Sequence, residues 1–182
     1  MSQCTFIAAN VPLAEVRSPY YSTFSINEAV AAGTALDADT LGCGIDPDEP
    51  DAVLACGLDS GKVPADNFSL LEFPFARCYC DMDLAVSIEF GGLGPEDMTP
   101  EKAARIAGYV REVLTRTDAV ELWTVWLSEY DPPRIKDRRV AASAFTGEDV
   151  EEIYSASCWP TDDIVNLYGG ERPTYHCLRV ER

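Results

Sequence analysis

An α+β fold, an antiparallel sheet with two helices on one face, is what this sequence predicts. Three observations carry that expectation. Apolar runs of strand length alternate with two longer segments of helical periodicity over residues 84 to 181. Each helical segment opens on a capping threonine and keeps a single apolar stripe. The strand segments are rich in Val, Ile, Phe, Tyr and Trp and are bounded by Gly, Pro and Asp. With 182 residues and 47% hydrophobic composition the chain can bury a sizeable core, and one domain over 1–182 is the expectation.

Cys4 to Ala8 reads as the first strand, ended by the Val11-Pro12 and Ser18-Pro19 breaks. Ser25-Ile26-Asn27-Glu28 has capping-box spacing, and Gly33 closes a short helix over Ala29 to Ala32. Residues 34 to 50 read as an acidic loop. Short apolar runs at Ala52 to Cys56 and Phe68 to Phe73 complete an N-terminal part, 1–83, packed on the remainder, 84–182.

Leu84 to Phe90 reads as a strand with Leu84, Val86, Ile88 and Phe90 on one face, stopped by Gly91-Gly92. Thr99 then caps a helix in which Pro100 suits the first position and Glu101 meets the positive end of the dipole. Its stripe is Ala103, Ile106, Ala107, Val110, Val113 and Leu114. Val120 to Leu127 reads as a central strand, apolar on both faces around Thr124, with Trp123 and Trp126 on opposite sides and at least one of them under the helix. After Asp131-Pro132-Pro133, Ile135 to Ala144 is a less apolar strand, and Thr146 caps a second helix with Val150, Ile153 and Tyr154 inward. Thr174 to Val180 is β-prone and polar enough to lie near an edge. Put in order, residues 84–181 resemble the ferredoxin-like β-α-β-β-α-β arrangement.

Charge bounds the function. The formal net charge is -17, and residues 1 to 98 hold 16 Asp and Glu against 3 Lys and Arg, residues 99 to 182 hold 15 against 11. Such a chain is disfavoured on nucleic acid and on anionic membranes, which need cations. The absence of a basic leader, of a long apolar run and of an even cysteine count leads to the expectation of a cytoplasmic protein with reduced thiols, Cys4, Cys56 and Cys177 acting as small hydrophobes.

The catalytic inventory is thin and favours a binding protein over an enzyme. Cys78 and Cys80 are separated by one residue, not the two of zinc or redox motifs, and on a strand they share a face. His176 is the only histidine, and its neighbour Cys177 projects to the opposite face. Cys4-Thr5 resembles the opening dipeptide of choloylglycine hydrolases, whose cysteine is an N-terminal nucleophile; the likeness covers two residues, and a buried strand thiol is the expectation. Asp46 to Asp51 lacks the ligand spacing of a calcium loop. No metal or cofactor is therefore expected.

Two sets of residues remain. Asp37, Asp39, Asp46, Asp48, Glu49 and Asp51 form the acidic set expected to meet a basic protein partner in a binding or inhibitory role. Arg134, Lys136 and Arg138 share one strand face, where they can hold an anion or neutralise the chain's own Glu148 to Glu152. The alternative function is a small-molecule site or enzyme pocket on the sheet, using His176, Cys78 and Cys80, or the Arg134 to Arg138 stripe.

Overall fold

The computed structural model describes residues 3–18, 21–25, 27, 31, 53–57, 64–89, 98–127, 134–159 and 173–182. The chain falls into two compact units, one of Met1–Arg17 with Ala65–Arg182 and one of Ser18–Pro64. The division lies elsewhere than at residue 83, because the first strand and residues 65–83 belong to the larger unit. In the smaller unit β2 (Tyr21–Ser25) pairs antiparallel with β3 (Val53–Gly57), setting Phe24 opposite Leu54. Tyr21 opens β2, a strand with no counterpart among the segments read from the sequence. The short helix expected over 29–32 lies almost wholly outside the described residues.

In the larger unit six strands form one mixed sheet in the order β4, β5, β1, β6, β8, β7. These are β1 (Gln3–Ala9), β4 (Ser69–Glu72), β5 (Leu84–Glu89), β6 (Ala119–Trp126), β7 (Arg134–Ala141) and β8 (Thr174–Glu181). Two helices, α1 (Pro100–Leu114) and α2 (Gly147–Ser155), pack on one face, as the α+β reading requires. The sheet is not antiparallel throughout: β7 runs parallel to β8, joined by α2 as a crossover. Nor are the strands of residues 84–181 contiguous, because β1 enters between β5 and β6. The likeness to the ferredoxin-like arrangement is confined to element order along the chain.

β1 takes the centre because it is apolar on both sides. Ile7 and Ala9 face the helices while Phe6 and Ala8 face away, all four at 0% exposure. α1 forms as its caps dictate: Thr99 Oγ1 accepts the Lys102 N–H at 3.3 Å and donates to the Ala65 carbonyl at 2.7 Å. All six residues of its stripe are buried. α2 closes with a capping box in which the Asp149 carboxylate accepts the Thr146 N–H at 2.8 Å, and Val150 and Ile153 enter the same core.

The opposite face carries a second, aromatic core. Phe6 stacks on Phe73 at 4.7 Å and on Trp123 at 6.4 Å, and the segment Phe73 to Met82 with a 3-10 turn at Ala76–Cys78 covers it. Trp123 and Trp126 both pack with this cluster, so neither lies under α1, whose stripe packs with the aliphatic core of the other face. β8 lies one strand in from the edge, since the still more polar β7 occupies the edge itself.

Truncating Ile106, which is fully buried beneath α1, is expected to destabilise the fold by about 2–5 kcal/mol, whereas Thr99→Ala removes one cap and costs about 1 kcal/mol. Urea unfolding of both variants checks this. The midpoints should fall in that order with unchanged slopes.

Candidate functional site

Two grooves flank the β7 and β8 end of the sheet, one on each face. On the helix-bearing face a groove of about 460 Å³ is lined by Lys136, Arg138, Glu152, Ser155 and His176, among others. The parallel register sets Lys136 directly beside His176 and Arg138 beside Leu178, so period-two spacing does place these residues on one face. Two residues of the basic stripe and the only histidine, far apart in sequence, are brought together here.

One member of the stripe is engaged within the chain. Arg138 bridges Asp149 at 2.8 Å and Glu152 at 3.1 Å on α2, the intramolecular neutralisation read as one of its two roles. His176 Nε2 meets the Ser157 carbonyl at 3.1 Å, which requires a proton on that nitrogen. Arg134 is the exposed first residue of β7. The acidic set Asp37, Asp39, Asp46, Asp48, Glu49 and Asp51 lies outside the described residues.

On the other face a groove of about 510 Å³ is lined by Arg77, Cys78, Cys80, Glu121, Trp123 and Arg179, with Ile135 at its β7 rim. Its floor is an ion pair the sequence reading passed over. Glu121 is only 9% exposed; one oxygen accepts the Trp123 indole N–H at 2.9 Å and the other accepts Arg179 Nη1 at 2.9 Å. Arg179 Nε in turn donates to Glu181 at 2.8 Å. Burying a carboxylate is costly unless such partners meet it. The signal was available: Glu121 is the acid inside the apolar run Val120 to Leu127, and an acid on a central strand requires a cation at its level on a neighbouring strand. In the register of β6 with β8, Arg179 stands directly opposite.

Cys78 and Cys80 are not on a strand. They sit at the end of the 3-10 turn and just beyond it, Cys78 exposed and Cys80 half-buried with its thiol donating to the Ala76 carbonyl at 3.5 Å. Burial pushes the Cys80 thiol above its ordinary range, and it pushes Cys4, Cys158 and Cys177 from 9.0 up to about 12. These groups are thiols, not thiolate nucleophiles, at neutral pH. Cys4 is an interior residue of β1 whose neighbour Gln3 donates to the Ala156 carbonyl and accepts the Cys158 N–H, both at 3.0 Å. That placement opposes the N-terminal nucleophile. Cys177 packs into the aromatic core, whereas the His176 ring is held by the Ser157 carbonyl. Among the described residues no three His, Cys, Asp or Glu side chains gather into a metal-holding group, and no helix is long and apolar enough to cross a membrane.

No family model, curated protein or solved structure matches this chain.

Two measurements test this account of the site. Removing the charge with Glu121→Gln leaves Arg179 without its partly buried partner and is expected to cost about 1–3 kcal/mol in thermal or urea unfolding. Stability should also fall at alkaline pH. The folded-state pKa values of Cys4, Cys158 and Cys177 lie above 9.0, so the stability they contribute is fully present below pH 9.0 and is lost as pH rises toward about 12. A Cys177→Ala variant should show a shallower alkaline decline.

Proposed function

We propose that this chain is a binding module that offers carboxylates to a basic surface of a partner protein. The observation that supports it most is the distribution of counter-charge. The net charge is -17, yet arginine after arginine is held by acids of the same chain: Arg17 on Glu15, Arg105 on Asp66, Arg138 on Asp149 and Glu152, Arg179 on Glu121, and Arg182 on Asp118. Each such pair is neutral at a distance, so what is felt outside is the net surplus of acid, -17. What remains is a negative potential that attracts a basic surface and repels phosphate-rich ones. The acidic set Asp37, Asp39, Asp46, Asp48, Glu49 and Asp51 is the proposed contact, and a reducing intracellular setting fits the free thiols among the described cysteines.

A second reading draws on the convergence of Lys136, Arg138 and His176 on one groove, which suits a small carboxylate or phosphate. On that reading inorganic phosphate at about 1 mM raises Tm for the natural chain and not for Lys136→Ala.

Capture from a lysate of the source organism at low salt, followed by stepped NaCl, tests the first reading. A stoichiometric basic protein should leave at moderate salt, and converting the six acids to Asn or Gln should lower its on-rate by about tenfold or more. An on-rate indifferent to both salt and the six substitutions would overturn it.

A further inference from the structure

The two edges of the six-stranded sheet are treated differently. At β4 the chain closes its own edge: Val16 exchanges two backbone hydrogen bonds with Leu70, at 3.0 and 2.7 Å, and the Glu15 side chain accepts the Glu72 N–H at 3.1 Å. At β7, eight residues long, no strand among the described residues pairs with the outer side. The orientation of its peptide groups follows from its pairing with β8. Arg134 N–H donates to the Pro173 carbonyl at 3.2 Å and Ala142 N–H to the Glu181 carbonyl at 2.7 Å, so even-numbered residues bond inward. Backbone groups alternate sides along a strand, and those of Ile135, Asp137 and Arg139 therefore point out of the sheet.

Side chains on either face of that edge differ in chemistry. Lys136 and Arg138 flank the groove on the helix face, with His176 behind them. On the other face Ile135, a large apolar residue left 52% exposed, stands at the rim of the groove that holds Trp123, and its next neighbours at the same period, Asp137 and Arg139, are exposed and charged. A strand laid against β7 sends its own side chains alternately to these two grooves. Main-chain bonds supply affinity in such strand addition, and the alternate pockets supply specificity.

We propose that β7 is a docking edge for an extended segment of a partner protein whose residues alternate acidic and apolar, the acids toward Lys136 and Arg138 and the apolar side chains toward Ile135. A second copy of this chain fits less well. Two β7 strands paired antiparallel keep like faces together, and the registers that align their outward groups set Lys136 opposite Arg138, or Arg138 opposite its own copy. The site is distinct from the acidic contact proposed above. Because the overall negative field opposes an acidic segment, its binding should persist or strengthen as salt rises, whereas the other contact weakens.

The test uses the full chain and a capped synthetic peptide of alternating Glu and Val matched in length to β7, with hydrogen exchange and calorimetry as readouts. Expected are binding at a Kd of about 1 mM or tighter, slowed exchange at the Ile135, Asp137 and Arg139 amides, and weaker binding to Lys136→Glu. Two N-methylated peptides separate strand addition from mere charge attraction without altering the protein. Methylation of the residues whose N–H groups face β7 should weaken binding by about tenfold or more, and methylation of the alternate residues should not. Equal loss or no loss with both peptides overturns the proposal, as does absence of binding. Slow exchange of the three amides in the free protein also overturns it: a monomer would show the edge covered by its own chain, and a dimer would show a second copy there.

Discussion

Insertion of β1 between β5 and β6 is the constraint on which the larger unit depends. A strand bonded along both sides and buried on both faces leaves its neighbours little freedom. β5 must run antiparallel on one side and β6 antiparallel on the other, so α1 crosses over a strand that precedes both in the chain. Hydroxyl groups extend the tie to α2. Thr5 and Thr124 meet at 3.0 Å, and Thr124 Oγ1 donates to the Ile153 carbonyl at 2.6 Å, which leaves Thr5 as the donor between the two. Ile153 lies in the last turn of α2, where carbonyls have no partner within the helix. One buried relay thus joins the central strand, its neighbour and an otherwise unsatisfied helix end.

The two faces of the sheet meet different needs. Helices bring a wide aliphatic surface to one face, and its core closes on side chains of moderate size. The other face is covered by a short irregular segment, and aromatic rings fill its core: Phe6, Phe73, Tyr79 and Tyr175 pack in succession. Thin cover also explains the Glu121 to Arg179 pair. At the margin of that cover a carboxylate can be nearly buried while its guanidinium partner remains about a third exposed, so desolvation is met without sealing two charges away from water.

Both helices and their inward residues were legible, because caps and a 3.6-residue period are local properties that survive any tertiary arrangement. Thr99, Thr146 and the stripe from Ala103 to Leu114 illustrate this. The strand segments of the larger unit were legible for the same reason, whereas β2 was not, and the neighbours of each strand were not. Nothing local in Cys4 to Ala8 says that it parts β5 from β6, and nothing in Ile135 to Ala144 says that it lies parallel to a strand beyond α2. The site was legible in pieces. Period two correctly put Lys136 and Arg138 together, yet their meeting with His176 depends on a register set by distant residues. Glu121 was passed over for a different reason: a single acid in an apolar run was averaged into its surroundings, although its burial called for a partner.

Charge in this chain acts at two ranges, and the fold separates them. Within a few ångströms, arginines are structural. Arg111 donates to the Phe145 carbonyl at 2.6 Å, Arg116 to the Pro12 carbonyl at 2.9 Å, and Arg179 crosses between strands. Beyond roughly 8 Å salt screens such local arrangements, and only the surplus of acid is felt. A basic edge strand on an acidic protein is therefore no contradiction. Arg138 is paired with Glu152 and Asp149 and adds nothing to the distant field, but with Lys136 it sets the charge directly beside β7. Their charge also opposes sheet-to-sheet pairing of identical chains, the hazard that any open edge presents.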